Sequence, residues 1–157
     1  MKTGLENYIK SKHDDKDYIL AALEFAEVAK AKGNIPIAAT LLIGTKRFTE
    51  CNTMYTEGSK LNHAEINAIQ KAVEFGFRKF DNAILYSTIE PSTVSALVAL
   101  EFGIKEFVFG AYQKNGFITS KQLNLDVLPI TYRGGILAEE CKNILPSRSR
   151  DLIHESI

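Results

Sequence analysis

The chain has 157 residues, 19 lysines and arginines against 19 aspartates and glutamates, and a composition 45% hydrophobic and 24% charged. That length suits one core, and a formal charge of zero argues against a strongly electrostatic hold on nucleic acid or a membrane. No apolar run approaches the roughly 18 residues that span a bilayer, the N-terminus lacks the apolar stretch of a secretory signal, and two cysteines, Cys51 and Cys141, make no disulfide framework. The expectation is a cytoplasmic protein with no membrane partner.

Residues 1–14 are polar and read as an N-terminal extension, ahead of a single domain over 15–157. From Asp15 the apolar residues Ile19, Ala22, Leu23, Ala26 and Ala29 recur at helical spacing, and Gly33 stops the helix. Residues 35–43 predict a buried strand, with Pro36 at its start. Gly44-Thr45-Lys46 turns it into a second strand ending near Asn52. Residues 53–62 form a polar loop long enough to suspect function.

A second helix is predicted over 63–75, with Ile66, Ile69, Ala72 and Val73 as its stripe. A strand over 82–89 follows, then a helix opened by Pro91 and Ser92 and closed by Gly103, and a strand over 104–110. Residues 127–131 suit a fifth strand, 135–145 a late helix, and a short C-terminal helix follows Pro146. Phe75, Phe77 and Phe80, and the alternating Phe107 and Phe109, read as core; Lys30, Lys32, Lys46 and Arg47 read as solvated surface. Strands alternating with helices imply an α/β fold with helices on both faces of the sheet.

Two stretches carry the chemistry. Asn62-His63-Ala64-Glu65-Ile66-Asn67 opens a helix after the long loop, and Glu90-Pro91-Ser92-Thr93-Val94-Ser95 opens the next. In an open α/β sheet such helix starts lie beside the carboxyl ends of strands, where ligands bind. Zinc nucleobase deaminases carry H-x-E followed by P-C-x-x-C. His63-x-Glu65 matches the first half, and Pro91-Ser92-x-x-Ser95 matches the second except at both cysteines.

The chain therefore resembles the cytidine-deaminase-like superfamily, in particular its tRNA-adenosine and nucleoside deaminase branch. The resemblance runs through Ile35-Pro36-Ile37-Ala38-Ala39, Asn52 eleven residues before His63, Leu85 to Pro91, residues 103–111 and residues 135–141. It implies a three-layer α/β/α sandwich around a mixed five-stranded sheet, and a homodimer paired through helices near the motif. It makes Glu65 the catalytic proton shuttle, His63, Ser92 and Ser95 the occupants of the metal-ligand positions, and Asn52, Ala64 and Pro91 substrate contacts.

The two serines decide the reading. A hydroxyl is neutral near pH 7 and a far weaker zinc donor than a thiolate. No bound cofactor is therefore expected, and zinc only if another group rescues the site: Cys51, Cys141, or His13 and His154 from the terminal segments. The expected function is binding of a nucleobase, nucleoside or nucleotide without ordinary zinc-dependent deamination. The alternatives are an active deaminase with unusual metal ligation and a non-catalytic assembly partner. RNA is disfavoured as a partner, with Arg148 and Arg150 the residues to test. Ser92 also suits a plain helix cap.

Overall fold

A computed structural model describes residues 14–154; residues 1–13 of the N-terminal extension, including His13, and residues 155–157 lie outside the described residues. Helix α1, Asp15–Ala31, begins at a reciprocal cap: Asp14 Oδ1 accepts from the Asp17 N–H at 3.2 Å, and Asp17 Oδ2 accepts from the Asp14 N–H at 3.1 Å. Its inner face is Ile19, Ala22, Ala26 and Ala29, all fully buried. Methyl-sized side chains let the helix lie close on the sheet.

Strands β1, Ala38–Ile43, and β2, Lys46–Cys51, form the expected hairpin. Helix α2, Met54–Glu57, is one turn inside the loop read as irregular. Helix α3 spans Ala64–Phe75, strand β3 Ile84–Ile89, helix α4 Thr93–Glu101, strand β4 Glu106–Ala111, strand β5 Thr131–Arg133 and helix α5 Ala138–Asn143; a 3-10 turn, Ser147–Leu152, follows. The sheet order is β2-β1-β3-β4-β5, with β1 antiparallel to β2 and β3, and β4 parallel to β3 and β5. This is the mixed five-stranded sheet of the expected α/β sandwich.

Strand alternation separates two cores. Leu41, Leu85, Phe107 and Phe109 pack with Ala64, Ala68 and Ile69 of α3 and Ala96 and Ala99 of α4. Tyr86 and Val108, pointing the other way, pack with Ile19 of α1 and Cys141 of α5. Phe80 is fully buried, but Phe75, expected inside, is 62% exposed: it comes last in α3, stacked on Phe77, with the Lys46 ammonium 5.4 Å from its ring centre.

Two late elements differ from expectation. The fifth strand forms at Thr131–Arg133, not 127–131, and Val127 is 73% exposed. Backbone pairing with β4 holds it, Glu106 opposite Thr131 through Val108 opposite Arg133, and ion pairs flank it. Arg133 Nη1 reaches Glu106 Oε1 at 2.8 Å, while Nε and Nη2 clasp the Asp15 carboxylate at 2.9 and 3.0 Å. The helix expected over 135–145 begins only at Ala138, because the N–H groups of Gly135 and Ile136 donate to Gly110 and Phe109 carbonyls, and Leu137 turns at φ 52°.

Candidate functional site

The site gathers at the carboxyl end of β3, where α3 and α4 begin. His63 is the residue before α3, with extended backbone at φ −64° and ψ 149°, and its side chain makes no capping hydrogen bond. That entry turns Ala64 and Glu65 inward, at 1% and 4% exposure. Ser92 caps α4, its Oγ accepting from the Ser95 N–H at 3.2 Å, so the capping role expected for it is real. Pro91 is buried beside it, its carbonyl accepting from the Phe117 N–H at 2.9 Å.

The three side chains then join. Ser92 Oγ donates to Ser95 Oγ at 3.2 Å, and Ser95 Oγ donates to Glu65 Oε2 at 3.4 Å. On the other carboxylate oxygen, Ser87 Oγ of β3 donates to Glu65 Oε1 at 2.9 Å. A chain of two hydroxyls and a separate third hydroxyl thus end on one buried carboxylate. Ser87 was not among the residues singled out from the sequence. Its signal was a hydroxyl inside a strand that is buried along its whole length.

Asn52 lies at the same end of the sheet, 3% exposed, with Oδ1 accepting from the Met54 N–H at 3.0 Å. Asn67, also unassigned by the motif reading, closes the loop between Asn52 and His63. Its Nδ2 donates to the Cys51 carbonyl and to Thr53 Oγ1, both at 2.9 Å, and the Thr53 N–H meets the Asn62 carbonyl at 3.1 Å. Loop 53–62 is therefore a closed loop with its ends stapled to α3.

The sulfurs lie elsewhere. Cys51 packs with Ala22, Ala26 and Ala29 on the α1 side of the sheet, and Cys141 is in the core under α1 and α5. Burial raises the Cys51 thiol above its ordinary value and pushes the Cys141 thiol up to about 12, so both stay protonated near neutral pH. The His154 N–H donates to the Tyr112 carbonyl, and Arg150 Nε to the Leu145 carbonyl. Among the described residues, no three His, Cys, Asp or Glu side chains gather to hold a metal ion.

Fold and motif together define a class. Residues 12–111 match the cytidine and deoxycytidylate deaminase zinc-binding region, and the chain belongs to that family. Among its relatives, the tRNA-specific adenosine deaminase of Haemophilus influenzae is 33% identical over 145 residues, covering 87% of this chain and 83% of that protein. The tRNA-specific adenosine deaminase of Bacillus subtilis is 29% identical over 150 residues, covering 88% and 90%. Among solved structures, one from work on A-to-I editing by tRNA:A34 deaminases superposes with a TM-score of 0.72 at 24% identity, covering 82% of this chain and 98% of that one. A guanine deaminase from Nitrosomonas europaea superposes at 0.70 with 15% identity, covering 96% and 94%. Among the described residues no helix is long and apolar enough to cross a membrane.

Proposed function

We propose that this chain binds a nucleobase, nucleoside or nucleotide at the Glu65 site without zinc-dependent hydrolytic deamination. The observation that carries the reading is the hydroxyl chain from Ser92 through Ser95 to Glu65, with Ser87 on the second oxygen. Zinc does not fit this donor set. One imidazole and two hydroxyls replace the imidazole and two thiolates of the family motif, and the serine protons are already committed to neighbouring oxygens. Bulk water has a pKa near 15.7, so without a metal at His63 the carboxylate has no acidified water to serve.

The double replacement is electrostatically balanced. A zinc ion and two thiolates sum to zero, and so do two neutral hydroxyls, which leaves the net charge around Glu65 unchanged. That balance supports a site kept for binding after its hydrolytic chemistry is gone. The named activities of the relatives, on tRNA adenosine and on guanine, support a purine as the ligand. The zero formal charge of the chain favours a small molecule over RNA. The same reading has the protein act in the cytoplasm as a homodimer paired through α4, whose Val94 and Leu97 are 54% and 46% exposed; sedimentation at micromolar concentration checks the pairing.

The test is metal analysis of protein purified without chelator, beside calorimetric titration of a nucleoside panel. Zinc well below one per chain together with binding of a panel member is expected; stoichiometric zinc, or no binding across the panel, overturns the proposal. The paired change Ser92→Cys and Ser95→Cys is expected to create a stoichiometric zinc site at His63. If hydrolysis appears with the metal, the scaffold lacked only its ligands.

A further inference from the structure

Glu65 is a buried carboxylate whose accepting capacity the protein does not fill. It is 4% exposed, and among the described residues only the Ser87 and Ser95 hydroxyls donate to it; no cation or backbone N–H joins them. A carboxylate offers about four acceptor positions. Roughly one on each oxygen therefore stays open, in surroundings where an unfilled anion is costly.

Asn52 is the second incomplete group. Its Oδ1 is used by Met54, and no described residue accepts from its Nδ2. Every fully buried side-chain nitrogen or oxygen among the described residues has a partner, so Nδ2 is not sealed off from solvent. Across the ladders Cys51 faces Ala38, and Ala39 faces Ser87. With Ala39 opposite Glu50, Asn52 lies two strands across and two residues further along than the Ala39–Ser87 row, roughly 12 Å from Ser87.

We infer that the site takes a ligand unit with two parallel N–H donors on one carbon, the arrangement of a guanine-type 2-amino-lactam edge or of a guanidinium group. The inference rests on the metal-free reading above. Each Glu65 oxygen already accepts one hydroxyl and offers one further acceptor position. Two parallel N–H groups fill both open positions at once, as a guanidinium does on a carboxylate. An adenine or cytosine edge brings one N–H and one lone pair, and the lone pair meets an oxygen that repels it. Asn52 Nδ2 supplies a donor for an acceptor on the far side of a flat ligand.

The experiment is calorimetric titration of the full chain in EDTA with guanosine, inosine, adenosine and L-arginine amide as separate arms. Guanosine or the guanidinium compound is expected to bind one per chain, roughly tenfold or more tighter than inosine and adenosine. The tighter of the two favoured arms identifies the source of the N–H pair. Glu65→Gln, confirmed folded by its melting curve, is expected to erase the preference; the wild-type ranking stands without any variant. Equal affinity for guanosine and adenosine, with no arginine amide binding, would overturn the inference. Zinc measured on a portion purified without chelator, before EDTA is added, separates the failures: stoichiometric metal sinks the metal-free reading, whereas zinc-free protein that binds without preference sinks this inference alone.

Discussion

Glu90 and Glu65 are both buried carboxylates at the carboxyl end of β3, and the protein treats them differently. Glu90, fully buried, accepts from the N–H groups of Gln113 at 3.1 Å, Ile118 at 2.8 Å and Thr119 at 3.0 Å, and from Thr119 Oγ1 at 2.6 Å. Four donors on about four acceptor positions saturate it. It pins loop 113–119 against the start of α4, and Gly116 passes so close that a Cβ there would collide with the Glu90 carboxylate. Glu65 receives two hydroxyls and no backbone group. The saturated carboxylate is architecture; the unsaturated one is the position proposed to take a ligand.

The comparison breaks most sharply under an isosteric change at each position. Glu90→Gln places an amide N–H against backbone donors that cannot reverse, and is expected to cost about 3 kcal/mol of folding stability in urea denaturation. The same change at Glu65 faces hydroxyls, which rotate from donor to acceptor, and is expected to stay within about 1 kcal/mol of wild type. Similar losses at the two positions would erase the distinction. Next in size is Gly116→Ala, which forces the added methyl into Glu90; a loss of about 2 kcal/mol, read from the same urea titrations, is expected. Smallest is Ser92→Ala, which removes the α4 cap and the head of the hydroxyl chain for about 1 kcal/mol. Because Ser95 keeps its own bond to Glu65, the ligand preference of this variant is expected to persist in titration.

Most of this site was legible before any coordinates, for a local reason. Helix starts are written in short sequence signals, so the positions of His63, Glu65 and Ser92 at the mouths of α3 and α4 followed from the chain alone. The same holds for the β1–β2 hairpin and for the alternation that buries Phe107 and Phe109 on one face. That serines stand at positions 92 and 95 was equally plain, since it is a matter of residue type.

What the chain by itself determined, then, was the order of elements, the family to which they belong and the identity of the groups at the motif. The tertiary structure decided what long-range contacts alone can set. Ser87 reaches Glu65 from 22 residues away, Arg133 reaches Asp15 from 118, and β5 pairs with β4 where no apolar run marks it. Whether a buried carboxylate is saturated or left open depends on donors brought from several elements at once. Local periodicity carries no record of such convergence, because it registers neighbours along the chain and not those across the fold.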